Sequence, residues 1–159
     1  KTGLKAFLET LRLSGLRPSY IDLRALALAR AIGEESAIIA NVEVDFLDVV
    51  VVKDYIPTVI SNIPLEGNSN NPREVVSAIS AELQQCISYH NERSRPNLLG
   101  PDVPVYLGGG HPRLEDGLVQ GLRDVIARPI AVPTPLVERP DDFPVQEFLV
   151  NAGLILQAA

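Results

Sequence analysis

The chain has no methionine, no tryptophan and a single cysteine, Cys86, and aromatic residues make up only 5% of its 159 positions. One cysteine excludes an internal disulfide and fits a reducing, cytoplasmic setting. With so few aromatics, a stacking platform for single-stranded nucleic acid lacks its main component. Cations are short as well: 14 Lys and Arg against 20 Asp and Glu give a net charge of −6. That balance argues against a general nucleic-acid surface, which needs a basic face. No window holds the roughly 18–20 uninterrupted apolar residues that span a bilayer, and no signal-peptide pattern opens the chain. Lys1 opens within what reads as a helix, so the sequence is expected to be part of a longer polypeptide. Loss of the other part would expose apolar surface, and self-association is expected on that ground.

What is present is aliphatic. Apolar residues make up 46% and charged residues 21%, a soluble globular balance with enough chain for one domain and its own core. Leu4, Phe7, Leu8 and Leu11 fall on one face of a helix over 3–14, stopped by Gly15. A short strand is expected at 20–23, then an Ala/Leu-rich helix over 24–32 closed by Gly33. Three β-branched stretches follow at 37–42, 46–52 and 56–63, separated by short turns. They predict an antiparallel meander whose middle strand is buried on both faces. After a polar loop at 67–72, a helix over 72–93 carries Val75, Ile79, Leu83, Cys86 and Ile87 on one side. A Pro/Gly linker leads to a strand at 103–107 and a helix ending near 127. A strand at 129–133, a polar loop and an apolar helix over 144–157 complete the chain.

The most informative stretch is the run Gly108, Gly109, Gly110 between that fourth strand and the next helix. Glycines tolerate positive φ and admit a ligand directly against the backbone. A helix starting almost at once would aim free N–H groups and a partial positive charge at the same spot. The competing explanation is a tight strand-to-helix turn with no ligand.

From residue 34 onward the order is β-β-β-α-β-α-β-α, which reads as an α/β domain with a mixed sheet and helices on both faces. In order and motifs the chain resembles the second half of an actin-like ATPase (ribonuclease H-like) of the type IV pilus assembly PilM family, kin of the cell-division protein FtsA. Three stretches carry the resemblance: Ser14-Gly-Leu-Arg-Pro18 with Ile21 to Arg30; Tyr106-Leu-Gly-Gly-Gly110 with Leu114; and Phe148 to Leu154. It implies a division into residues 1–33, a helix-strand-helix remnant of a preceding lobe, and residues 34–159, the second-lobe domain. It also implies ATP and Mg²⁺ as cofactors of a full-length parent. The partner it implies is the short cytoplasmic tail of a bitopic inner-membrane pilus assembly protein, holding the chain at that membrane. Nucleic acid and direct membrane insertion are not expected, on the composition above, and the homo-oligomer expected is the self-association that exposed apolar surface would drive.

On this resemblance Gly108, Gly109 and Gly110 form the adenosine loop and Glu82 lies toward the ribose, although a solvated helix glutamate is the commoner reading. The family's second phosphate loop reads Asp-x-Gly followed by Thr, and here the aligned residues are Asn41, Glu43 and Leu47. Asn cannot serve as a carboxylate base, Glu43 adds negative charge where phosphates sit, and Leu47 has no hydroxyl. The expectation is a degenerate nucleotide cleft and a non-catalytic scaffold role. The alternatives are a working ATPase or small-molecule kinase of the same superfold and an FtsA-like filament former.

Other candidates are weaker. Glu82, Cys86 and His90 share a helix face, yet no fourth ligand motif accompanies them, and a half-buried Cys beside a surface His is the plainer reading. His111 reads as a turn histidine, and Asp45, Asp48 and Asp54 as solvated acids. No nucleophile motif is present, so no catalytic residue and no metal ligand is assigned.

Overall fold

A computed structural model describes residues 2–65, 71–95, 97–112, 117–135 and 137–158. Helices are α1 (Thr2–Leu13), α2 (Arg24–Ile32), α3 (Pro72–Arg93), α4 (Val119–Val125) and α5 (Leu149–Ala158). Strands are β1 (Ser36–Val42), β2 (Phe46–Lys53), β3 (Ile56–Pro64), β4 (Val105–Gly108) and β5 (Ile130–Ala131). They form one sheet in the order β3-β2-β1-β4-β5, antiparallel within β1–β3 and parallel from β1 through β4 to β5.

The period-2 alternation of β1 and β2 builds two cores. Ile38, Ala40, Val42, Leu47, Val49 and Val51 face one side, against Ile79 and Leu83 of α3, Leu122 of α4 and Leu118 in the turn before it. Ala37, Ile39, Val50 and Val52 face the other, against Leu28 and Ala31 of α2 and Leu149 and Ala152 of α5. Both central strands are therefore apolar almost throughout. Physically, α2 is part of this core, whatever its ancestry.

Several boundaries differ from the sequence reading for identifiable reasons. Residues 20–23 form no strand. Asp22 accepts from the Leu23 N–H and from Arg30 of α2, so this segment is extended without a strand partner. The Arg30 guanidinium holds the Asp22 carboxyl below the ordinary carboxylate range. The last helix starts at Leu149, five residues later than expected. The carbonyl of Gln146 is turned out to accept the Gly109 N–H instead of joining a helix. β4 begins at Val105 and β5 keeps two residues, with Pro129 and Pro133 withholding donors on either side. Arg128 donates to the carbonyls of Leu99, Gly100 and Val103 and so pins the linker that delivers β4. Residues 67–70 of the polar loop and Leu114 of the glycine motif lie outside the described residues.

The β2–β3 turn places Asp54 at φ 54° and Tyr55 at φ 63°. Two successive left-handed residues make a type I′ turn, in which glycine is the favoured second residue. Tyr55 is exposed, and its N–H donates to the Glu35 carbonyl. Replacing Tyr55 by Gly keeps that bond and removes the Cβ penalty, offset in part by added chain entropy. Thermal unfolding should show a gain of about 0.5–1 kcal/mol; a loss would mean the tyrosine ring contributes contacts that outweigh its backbone strain.

Candidate functional site

The parallel strands β1 and β4 end side by side, with Asn41 opposite Gly108. Ligands of open α/β sheets sit outside such carboxyl ends. Here the chain itself fills much of that space. Gly109 sits at φ +114°, and a Cβ there would overlap the Val42 backbone. Its N–H donates to the Gln146 carbonyl over 2.8 Å, and the His111 N–H donates to the Val42 carbonyl over 3.1 Å. A Cβ on Gly108 would stand 2.8 Å from Leu149 Cδ2. Gly109 is thus required by close packing against the β1 backbone, without any ligand, whereas a Cβ on Gly108 would press on the end of the Leu149 side chain.

Gly110 has an ordinary φ, and its N–H donates to Glu43 Oε2 over 3.2 Å. The other oxygen of that carboxylate accepts from Asn41 Nδ2 over 3.1 Å. Asn41 is only 1% exposed, so the glutamate is held from beneath by a fixed amide. An internal anion therefore occupies the N–H of the glycine turn. Leu47, the position where the family resemblance asks for Thr, is fully buried among core side chains.

A cleft of about 700 Å³ opens beside this turn, between Gly110 and the segment 139–147. Asp141, Asp142 and Glu147 line it, with Arg139 as its one guanidinium among the described residues. At about 4 Å, each uncompensated carboxylate raises the energy of a phosphate charge by about 1 kcal/mol in water and about 4 kcal/mol at an effective dielectric of 20.

Of the residues singled out in sequence, Asn41, Glu43, Gly108, Gly109 and Gly110 come together here. Glu82 does not join them. It accepts from Ser61 Oγ over 2.6 Å and ties α3 to β3, three strand spacings or about 14 Å from β4. The helix expected directly after the glycines is described only from Val119, behind a π-type turn at 117–118. His90 is not a surface residue: it is 2% exposed, with Nδ1 at 2.8 Å from Thr58 Oγ1 and Nε2 facing the Asn97 carbonyl. Asp48 is likewise buried, accepting from Arg24 and Asn62. Polar partners on α2 and β3 make that burial tolerable, and strand alternation alone cannot reveal such partners. Asp45 and Asp54 are exposed at turns. Among the described residues, no three His, Cys, Asp or Glu side chains are grouped to hold a metal ion.

Cys86 is buried, and desolvation first, then the Glu82 charge, pushes its thiol up to about 12. The folded state keeps the proton while the unfolded chain releases it near 9.0. Stability therefore falls as pH rises from about 9 toward 12. At pH 8 a thiol reagent should label the native protein at least a hundredfold more slowly than the urea-unfolded chain; equal rates would show that Cys86 is accessible.

No known family pattern matches this sequence, and no curated protein matches it by sequence. Solved structures do match its fold. EutJ, an ethanolamine utilization protein from Carboxydothermus hydrogenoformans, superposes with a TM-score of 0.66 at 15% identity, over 92% of this chain and 57% of its own. PilM, solved in a PilM-PilN type IV pilus biogenesis complex, gives 0.57 at 21% identity over 97% of this chain and 57% of its own. AlfA from a B. subtilis plasmid, solved as a filament, gives 0.57 at 14% identity over 83% and 42%, and an AlfA filament bound to AMPPNP also matches. The fold is actin-like. The chain spans about half the length of these actin-like proteins. No described helix is long and apolar enough to cross a membrane.

Proposed function

We propose that this chain is a non-catalytic scaffold component of a type IV pilus-like or related secretion platform, built on an actin-like fold whose nucleotide cleft has degenerated. One observation carries the reading. The Glu43 carboxylate is held between Asn41 and the Gly110 N–H, where an anionic ligand would otherwise find its donor. The acidic lining of the neighbouring cleft opposes a phosphate further. The likeness to PilM, solved together with PilN, supports a protein partner over a small-molecule substrate. On this reading the partner is the cytoplasmic tail of a bitopic inner-membrane protein. The chain then works in the cytoplasm, peripheral to that membrane, with residues 1–33 derived from the preceding lobe.

A second reading rests on AlfA, which was solved as a filament with AMPPNP: a nucleotide-binding filament former, with ATP and Mg²⁺ held largely by another lobe. The two part on a paired experiment. The scaffold shows no Mg²⁺-dependent ATP turnover and co-purifies with a bitopic membrane protein, a capture lost when that protein's cytoplasmic tail is deleted. Turnover, or sedimentation that depends on nucleotide, would favour the second reading and overturn the first.

A further inference from the structure

The amides on either side of Gly110 are committed within the chain. The Gly109 N–H donates to the Gln146 carbonyl and the His111 N–H to the Val42 carbonyl. Those two bonds fix the peptide between them, so the Gly110 N–H stands on the turn as a preset donor. A second donor meets it from another strand. Asn41 lies in β1, paired with Asp48 of β2 on one side and Gly108 of β4 on the other, and is 1% exposed. Its backbone is held from both sides, and its Nδ2 reaches the same carboxylate as Gly110. Two fixed N–H donors that converge in this way suit the two oxygens of one carboxylate.

Glu43 supplies that carboxylate from the adjoining turn. Its own N–H donates to the Phe46 carbonyl and closes the β1–β2 connection, so its backbone is fixed and only its side chain is free to swing. One oxygen accepts from Asn41 over 3.1 Å and the other from Gly110 over 3.2 Å. The surroundings limit which anion fits. Both donors are neutral, the Glu147 side chain also borders Gly110, and Asp141 and Asp142 outnumber Arg139 in the cleft beyond. A phosphate brings more negative charge into that setting than two neutral donors offset, whereas a carboxylate brings one.

We propose that Asn41 and Gly110 form a carboxylate-binding subsite and that Glu43 is its tethered ligand. The side chain acts as a latch that fastens the end of β1 to the turn after β4 and keeps external anions out. The subsite is intact beneath the latch, so removing the Glu43 side chain opens it to a small carboxylate from solution. The latch rests on the reading of the cleft as closed to nucleotide. No nucleotide enters its test, which can therefore fail while the scaffold reading holds.

Chemical rescue of the intact chain tests it, with acetate as the probe and sodium chloride at equal concentration as the reference. Glu43→Ala should melt about 3–6 °C below the wild type. In about 0.5 M acetate it should recover about half of that loss, while the wild type gains nothing over chloride. Its Gly110 amide should exchange with solvent about tenfold faster than in the wild type and slow again with acetate. Glu43→Gln is the second variant, and it keeps the test open if Glu43→Ala does not fold. It fills the space but offers one oxygen, which the buried Asn41 claims first. Gly110 should exchange faster there too, and acetate should change nothing. Acetate that stabilises Glu43→Ala no more than the wild type overturns the proposal. So does a Gly110 amide that exchanges in Glu43→Gln as it does in the wild type. Rescue of Glu43→Ala by inorganic phosphate more strongly than by acetate overturns it as well, by assigning the subsite to another anion.

Discussion

Gly153→Ala is expected to lower stability by about 3 kcal/mol, a fall in Tm of roughly 6–12 °C for a domain of this size. Intrinsic propensity points the other way. Gly153 lies inside α5, and alanine there is worth about 1 kcal/mol in an isolated helix. Packing decides the sign. A Cβ on Gly153 would overlap the carbonyl of Ala27 in α2, backbone against backbone, with no flexible side chain to yield. The same contact holds Arg30, whose Nε donates to the Gly153 carbonyl over 3.1 Å. Separating the helices strains the core that Leu28 and Leu149 fill against Ile39 and Val50. A Tm unchanged or raised in Gly153→Ala would mean that α2 does not cross α5 at this point.

Gly109→Ala is expected to cost about 3–4 kcal/mol. Two penalties combine: a φ of +114°, which L residues rarely adopt, and overlap with the Val42 carbonyl. The neighbouring Gly110→Ala is the control. Gly110 has no positive φ, and its Cβ would meet Glu43 Oε2 at 3.2 Å, a contact relieved by a shift of a few tenths of an ångström that leaves the carboxylate in place. Its cost should stay below about 1 kcal/mol. Denaturant midpoints of the two variants separate the explanations for the glycine run. Equal, small effects would mean that packing does not require the glycines and that a ligand does.

The fold was legible because its signals are local and repetitive. β-branched runs with short turns gave the meander, and the near-unbroken apolar stretch of β2 announced burial on both faces. Gly33 ended α2 in the left-handed conformation expected of a cap, and Asn71 caps α3 by accepting from the Arg73 N–H. What escaped was set by distant partners. Residues 20–23 looked like a strand because Tyr, Ile and Leu surround one acid. That acid is bound by Arg30, and no strand among the described residues pairs with the segment. His90 looked solvated on an α3 face, but Thr58 and Asn97 satisfy both of its ring nitrogens in the interior.

The site was legible in part for the same reason. Asn41, Glu43 and the glycines end adjacent strands, and once β1 and β4 pair in parallel they must meet. Their bonding was not legible. The carboxylate of Glu43 serves as acceptor for the glycine turn, an arrangement that depends on the side chain curling back over Asn41. The position of Glu82 on α3 does not reveal its partner, Ser61 of the edge strand β3.

The most direct test of the central claim is a calorimetric titration of Mg·ATP into the protein at physiological salt. Occupation of the glycine turn by Glu43 and an acidic cleft predict no binding heat up to millimolar nucleotide. Saturable binding with a micromolar Kd would contradict the account, because Glu43 would then have to leave Gly110 and the cleft would be a working nucleotide site.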